Sequence, residues 1–273
     1  MYDGRCGDGQ GAPILHQALA GTSRRLACKY ALEIFSGAGH FAQACASAGL
    51  DCVAWDILDG AGADVLAPHA AERLCHQIAS GDVAVVLLGT DCKSWSRARR
   101  ADGRGPGPLR DDGDGLYGLP SLAARDQAKV ELGNRLLQFT AKVVRCCCSH
   151  HVPVLIENPQ TSRIWLTREM KQLSASGMHL STCSFCQYGT SWRNNTHFLS
   201  NIPILNQVLK QCHQVHGRCS ATNKPHLQLV GRNSAGVFLT LLAQPYPHEL
   251  CKVLIRAALD FHHGQKHHDG GGF

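Results

Sequence analysis

Short apolar runs alternate with amphipathic stretches along the first two thirds of the chain. Apolar runs of this kind are typical of buried strands in a parallel sheet, and they occur at residues 30–35, 51–55, 83–88 and 152–156. The stretches between them have helical character, residues 127–147 most clearly, and lie at 40–48, 72–79 and 127–147. Strands that alternate with helices predict an α/β protein with a doubly wound, mostly parallel sheet and helices on both faces.

The last third of the chain is less regular. We expect two paired strands at 181–188 and 197–199, a last strand at 237–242 and a closing helix at 246–259. The composition divides the chain into five segments. A Gly-rich, loose arm at 1–27 precedes a main catalytic domain at 28–200, which contains a long Gly/Pro-rich loop at 99–125. A small Cys/His-rich region at 201–235, a closing strand and helix at 236–261 and a disordered tail at 262–273 follow. A loop as long as 99–125 is either a binding loop or disordered.

Composition and charge exclude some functional classes. A chain of 273 residues can bury a substantial core, and a formal net charge of +6 is compatible with a polyanionic partner. The sequence has no run of about 18 apolar residues, so it predicts no membrane span. The first residues lack the pattern of a secretory signal, so we expect an intracellular protein whose 14 cysteines are thiols, ligands or nucleophiles rather than disulfides.

Cys92 is the first candidate for chemistry because it lies just past the apolar run 83–88. Open α/β sheets bind ligands at the carboxyl ends of their strands, so this placement suits a nucleophile over a ligand crevice. The cation of Lys93 would favour the thiolate. Alternatively, Cys92 is a small buried core residue.

Three further groups follow predicted strands or turns. Gly37 and Gly39 would allow the backbone to approach a cofactor closely. Asp56 is placed to bind ribose hydroxyls. Alternatively, Asp56 is a helix cap or a surface acid. A buried Glu157 would have a raised pKa and donate a hydrogen bond when neutral, although an ion pair is an equal alternative. Arg193 suits a carboxylate or phosphate contact, or is a solvated surface arginine.

The order of these motifs resembles that of DNA cytosine carbon-5 methyltransferases. LEIFSGAGHFAQACASAGLDCVAWDI resembles the cofactor motif of the family, GTDCKSWSRA its catalytic cysteine segment and VLIENP its ENV motif. CQYGTSWRNNT is similar to its YGxPQxRxR segment, and PYPHELCKVLIRAAL resembles its closing helix faintly. The resemblance covers residues 31–200 in the family's order.

The resemblance implies a Rossmann-like methyltransferase domain that transfers a methyl group from S-adenosylmethionine to cytosine, with DNA favoured over RNA. It would place a eukaryotic enzyme in the nucleus. Cys92 would attack carbon-6, Glu157 would hydrogen-bond the base and Arg193 would support Glu157 or a phosphate. Asp56 would bind the ribose of the cofactor and Asp64 would lie near its adenine. The other implied cofactor contacts are Phe35, Ser36, Gly37, Ala38, Gly39 and Gly89. The implied substrate contacts are Ser96, Arg97, Asn158 and Pro159.

The chain departs from the family pattern at two places. Asp91 stands where the family has a proline, and its charge would raise the pKa of Cys92. About fifty residues separate Arg193 from Pro245, too few for a full target-recognition domain by ordinary domain sizes. Base selection would then depend on residues 99–125 and 202–232 or on a separate targeting partner. A catalytically silent binding module and an RNA methyltransferase are the alternatives.

A group of cysteines and histidines near the C-terminus has spacings that suit a tetrahedral zinc. We expect Cys186, Cys212, Cys219 and His226 to be the ligands, with Cys183 as a substitute, although chance clustering is the more frequent explanation in a chain so rich in both residues. A metal would stabilise a small subdomain in place of the missing recognition domain.

Overall fold

One six-stranded sheet forms the centre of the molecule in the computed structural model, which describes residues 30–99, 101 and 106–269. Its strands are β1 (Tyr30–Ile34), β2 (Asp51–Trp55), β3 (Val83–Leu88), β4 (Val154–Pro159), β5 (His179–Ser184) and β6 (Asn195–Ser200). Their order is β2-β1-β3-β4-β6-β5. Strands β1 to β4 are mutually parallel, and β6 is antiparallel to both its neighbours. The predicted α/β class with a mostly parallel, Rossmann-like sheet is confirmed.

Helices cover both faces of this sheet. They are α1 (His40–Ser47), α2 (Ala70–Ala79), α3 (Ala124–Ser149), α4 (Arg168–Ala175), α5 (Leu205–Val208) and α6 (His248–Asp269). Alternate residues of β3 point to opposite faces: Val86 packs with α2 and α3, whereas Leu87 packs with α1 and α6. This two-sided burial explains why β3 is apolar at every position. Within the described ranges, no helix has the length and apolar character needed to cross a bilayer.

The predicted strand at 237–242 is wrong. Residues 239–243 form a short 3₁₀ helix, and the apolar side chains of Val237 and Phe238 are largely exposed. The segment instead closes on itself, since the Leu239 amide donates to the Gly231 carbonyl at 3.1 Å. Apolar residues form a strand only where a neighbouring strand offers backbone partners.

Other differences concern the ends of elements. Helix α6 continues to Asp269, through most of the predicted disordered tail, while residues 270–273 and the predicted arm at 1–27 lie outside the described residues. Helices α4 and α5 were not predicted. Residues 185–188, predicted as the end of a strand, form a 3₁₀ turn after β5.

The sheet brings the carboxyl ends of β1, β2, β3 and β4 to one edge. The chain leaves β1 toward β2 and then returns past β1 to form β3 on its other side. The order therefore reverses between β1 and β3, and ligands of open α/β sheets bind in the crevice at such a reversal.

Candidate functional site

Cys92 lies at this crevice, four residues beyond the end of β3. The loop that carries it is fixed at both ends: the Gly89 amide donates to the Ile34 carbonyl at 3.0 Å, and the Trp95 amide donates to the Cys92 carbonyl at 3.0 Å. Trp95 is fully buried. Cys92 itself is partly exposed.

Arg110 anchors the same loop and was missed in the sequence analysis. Its guanidinium is 1% exposed, lies 3.4 Å from the centre of the Trp95 ring, and donates to Ser94 Oγ and to the Val130 carbonyl, both at 3.0 Å. Arginine is among the residues least often buried, and nothing in its local sequence marks Arg110 as different. Part of the predicted 99–125 loop is thus fastened to α3, and residues 100 and 102–105 lie outside the described residues.

Glu157 lies at the carboxyl end of β4, the strand that pairs with β3. Two hydroxyls hold its carboxyl group: Thr196 on β6 donates to Oε1, and Tyr246 donates to Oε2 at 3.0 Å. A hydroxyl can also accept, so both partners suit either protonation state of the acid. Burial raises the pKa of Glu157, which favours the neutral form that donates a hydrogen bond.

The structure brings Cys92 and Glu157 within electrostatic reach of each other. Burial, then the charge of Glu157 and then that of Asp91, raises the pKa of the Cys92 thiol to about 12, and Lys93 offsets this weakly. Lys93 is exposed, and its Nζ lies 3.5 Å from an Asp91 carboxylate oxygen. In this state Cys92 is therefore a thiol at neutral pH.

Asn158 and Arg193, both predicted to act on the substrate, make protein contacts instead. Asn158 is fully buried and donates to the Thr90 carbonyl at 2.6 Å, which positions the Cys92 loop rather than a ligand. Arg193 is exposed and donates to Gln214 Oε1 at 2.8 Å, whereas the hydrogen-bond partners of Glu157 are Thr196 and Tyr246. A direct bond from Arg193 to Glu157, one of its two predicted roles, is therefore absent from the part of the chain that the structure describes.

The remaining predicted substrate contacts lie near the Cys92 loop. Arg97 is exposed and forms an ion pair with Asp112 at 2.7 Å, while Ser96 Oγ accepts from the Ala98 amide at 3.1 Å. Pro159 is partly exposed at the last position of β4, and its carbonyl accepts from the Trp165 indole at 2.9 Å.

The turn after β1 combines two glycines and a phenylalanine at positive φ. Gly37 and Gly39 have φ values of 53° and 68°, which favour glycine, and Phe35 has a φ of 63°, which is rare for a bulky residue. Strain of this kind persists where surrounding contacts impose it, and it concentrates at binding sites.

Asp56, at the end of β2, faces this turn. One carboxylate oxygen accepts from the Gly37 amide at 2.8 Å and the other from the Leu58 amide at 3.0 Å. A carboxylate has about four acceptor positions, so two remain for a pair of ligand hydroxyls. Asp56 is thus a cap, one of the alternatives raised for it, and keeps the capacity to bind a ribose.

The other predicted cofactor contacts follow the carboxyl ends of β1, β2 and β3. Ser36 is buried, Ala38 is exposed, and Asp64 Oδ1 accepts from the Leu66 amide at 2.8 Å. Gly89 is tightly packed, since a Cβ there would lie 2.7 Å from the Tyr246 hydroxyl. Gly89 therefore admits Tyr246, the partner of Glu157, to this edge of the sheet.

The four predicted metal ligands converge on one another. The ligand atoms of Cys186, Cys212, Cys219 and His226 all lie within 4.8 Å of one another. Cys183, the predicted substitute, lies instead in the apolar core beside α6.

Two solved methyltransferase structures are similar to this chain. One is Entamoeba histolytica methyltransferase EhMeth, with a TM-score of 0.36 and 14% identity over 70% of this chain and 58% of that one. The other is the Schizosaccharomyces pombe (S. pombe) Dnmt2 methyltransferase, with a TM-score of 0.36 and 14% identity over 69% of this chain and 56% of that one. The chain thus spans less than two thirds of either structure. No protein-family model and no curated protein matches it.

Proposed function

We propose that this protein transfers a methyl group from S-adenosylmethionine to carbon-5 of cytosine in nucleic acid, with DNA as the favoured substrate, through a covalent bond to Cys92. One observation carries the proposal. Cys92 follows β3, Glu157 lies at the carboxyl end of the adjacent parallel strand β4, and the charge of ionised Glu157 acts on the Cys92 thiol.

This pair of groups suits attack on a flat, electron-poor ring. Cys92 first loses its thiol proton to water, and the thiolate sulfur then forms a bond to carbon-6. The electron pair of the 5,6 double bond shifts between carbon-5 and carbon-4, and the C4–N3 pair moves onto N3, which takes a proton from Glu157. Carbon-5 thereby becomes nucleophilic enough to accept a methyl group. Water then takes the carbon-5 proton, the C–H electron pair restores the 5,6 double bond, and the Cys92 sulfur leaves as thiolate. N3 returns its proton to Glu157, which regenerates the acid.

Glu157 supports both parts of this reaction in its protonated form. Neutral Glu157 can donate to the ring, and it no longer opposes thiolate formation at Cys92 by its negative charge. The two hydroxyls that hold Glu157 keep it aimed in one direction while its protonation state changes.

The residues at the crevice fit the proposed cofactor. S-adenosylmethionine supplies an electrophilic methyl group when bound. The strained turn from Phe35 to Gly39 lets backbone approach a ligand closely, and the spare acceptor positions of Asp56 match two ribose hydroxyls. Asp64 remains the predicted contact to the adenine.

A catalytically silent binding module is the second candidate, and the raised pKa of Cys92 is the observation that favours it. Asp91 contributes to that pKa, at the position where the resembling family has proline. A protein of this kind would bind S-adenosylmethionine or nucleic acid without methyl transfer.

Trapping on 5-fluorocytosine tests the proposal. With S-adenosylmethionine present, wild-type protein should form a denaturant-stable complex with a DNA oligonucleotide that carries this base, because the fluorine cannot leave as a proton does. Mass spectrometry should map the bond to Cys92. Cys92→Ala should form no complex, whereas Cys148→Ser, which alters a partly buried cysteine at the end of α3, should react as wild type does.

The other outcomes separate the candidates. An equivalent RNA oligonucleotide that reacts when DNA does not would make the enzyme an RNA methyltransferase. Calorimetric binding of S-adenosylmethionine without any complex would favour the silent module. A complex that maps to another cysteine, or that persists in Cys92→Ala, would contradict the assignment of the nucleophile.

A further inference from the structure

We propose that Cys186, Cys212, Cys219 and His226 bind one zinc ion, which holds the segment 210–241 in its folded form. This inference does not depend on the proposed methyl transfer. It follows from the geometry of the four side chains and from the packing of the segment that carries three of them.

Two of the distances between the four ligand atoms are close to those of a tetrahedral zinc site, and all of them lie within 4.8 Å. Zn–S bonds of about 2.3 Å separate two sulfurs of a tetrahedron by about 3.8 Å, and a nitrogen lies slightly closer. Cys212 Sγ lies 4.0 Å from Cys219 Sγ and 3.6 Å from His226 Nε2. A small contraction about a common centre would complete the coordination.

Packing indicates that something other than apolar contact folds this segment. All residues from 210 to 241 are described, and the buried ones are Cys212 and Cys219. Apolar side chains of the segment are exposed instead, Val230 to 79%. A small unit without an apolar core needs another source of stability, and a structural metal supplies it because folding creates the site.

The third cysteine ties this segment to the sheet. Cys186 lies in the 3₁₀ turn that follows β5, and with Cys212 and Cys219 it forms a small buried cluster of its own. A metal bound by all four side chains would therefore cross-link the segment to the sheet domain.

Hydrogen-bond donors surround the sulfurs, as thiolates require. The Ser220 amide donates to Cys212 Sγ at 3.5 Å, and the Gln187 amide group lies 3.8 Å from the sulfurs of both Cys186 and Cys219. Three thiolates and one neutral imidazole leave a negative charge on the zinc site, which these N–H groups offset.

Gln214 connects the zinc site to the exposed surface. Its carboxamide contacts His226 Nδ1 at 3.2 Å and accepts from Arg193 at 2.8 Å. With zinc on Nε2, Nδ1 carries the ring proton, and a rotation of the carboxamide supplies the acceptor that it needs. Arg193, Gln214 and His226 also line one cavity of about 330 Å³, so zinc binding would set the shape of this cavity.

Metal analysis of the full chain tests the proposal. Protein purified without added metal should contain about one zinc per chain. Loss of a residue that only supports a metal ligand weakens metal binding by about 10–100-fold. His226→Ala removes a ligand itself, so it should weaken zinc binding by more than this. His213→Ala is the matched control, since His213 is exposed in the same segment and outside the cluster.

Two further measurements keep the test decisive if His226→Ala folds poorly. His226→Cys should retain the metal, because four cysteines also bind zinc tetrahedrally. Cobalt in place of zinc should give the visible absorption of a tetrahedral ion, together with thiolate-to-metal charge-transfer bands. After a chelator removes the metal, a protease should cleave the segment 210–241 earlier than it cleaves the sheet domain.

Three results would overturn the proposal. In the first, the wild-type chain neither contains nor takes up zinc. In the second, His213→Ala loses metal as His226→Ala does. In the third, Cys212 and Cys219 form a disulfide in protein kept under reducing conditions. None of these results bears on the trapping of 5-fluorocytosine, so the two proposals fail separately.

Discussion

The crevice around Cys92 and the segment 210–241 are both rich in chemical groups, but different forces hold them. Cys92 follows β3 and Glu157 lies in β4, and the side chains of both strands form the apolar core, so the sheet fixes the two residues without a ligand. The segment 210–241 has cysteines where a core would be. We therefore expect the pKa values of the reactive groups at the sheet edge to depend on nearby charges. The folding of the segment 210–241 should depend on metal instead.

The largest expected effect on this comparison comes from removing Arg110. Arg110→Ala would leave Ser94 Oγ and the Val130 carbonyl without their buried donor, which should lower the free energy of unfolding by about 2–4 kcal/mol. Urea unfolding measures this loss. Zinc content should stay unchanged, because the contacts of Arg110 all lie outside 210–241.

Arg125→Ala is the matched control for this prediction, since Arg125 is exposed at the start of α3. Its effect should fall within about 0.5 kcal/mol. If Arg110→Ala costs no more than Arg125→Ala, the loop that carries Cys92 is not held by the buried guanidinium.

Glu33 provides the next effect, a dependence of stability on pH. Glu33 is 1% exposed, its carboxylate accepts from the Ala42 amide at 3.0 Å, and burial raises its pKa from 4.5 to about 8. The folded state therefore keeps a proton that the unfolded state releases above pH 4.5. This contribution is fully present below that pH and declines as the pH rises toward the folded pKa.

Glu33→Gln keeps an acceptor oxygen for Ala42 and removes the titration. Unfolding free energies measured from pH 5 to pH 9 should fall for the wild type between pH 5 and about 8 and should change less for Glu33→Gln. Equal pH profiles for the two proteins would show that Glu33 does not carry this dependence.

The smallest expected effect concerns the reactivity of Cys92. When ionised, Glu157 carries the charge that contributes most, after burial, to the raised pKa of this thiol. At a pH that ionises Glu157, Glu157→Gln removes that charge, so alkylation by iodoacetamide should become several-fold faster. Asp91→Asn should accelerate it less. Peptide mass spectrometry separates Cys92 from the other cysteines.

Asp51→Asn is the control, because Asp51 is an exposed acid at the start of β2, at the opposite edge of the sheet. It should leave the alkylation rate at Cys92 unchanged. If all three substitutions act alike, net charge rather than the local field controls the thiol.

Much of the fold could be predicted from the sequence because its signals are local. The run from Val83 to Leu88 is apolar at each position, and β3 occupies those residues. The same kind of signal failed at 237–242, where apolar residues lie exposed on a segment that pairs with no strand of the sheet. An apolar run predicts burial only where the fold supplies a surface to cover it.

By itself, the sequence determined the order of strands and helices, the position of Cys92 after a buried strand and the set of four cysteine and histidine side chains proposed to bind zinc. Spacing and hydrophobic period encode these features within short stretches of chain. Only the tertiary structure decided that Tyr246 and Thr196 hold Glu157, that Arg110 anchors the Cys92 loop and that Arg193 contacts Gln214. Side chains far apart in sequence become partners only when strand order and packing bring them together, and no local pattern records that distance.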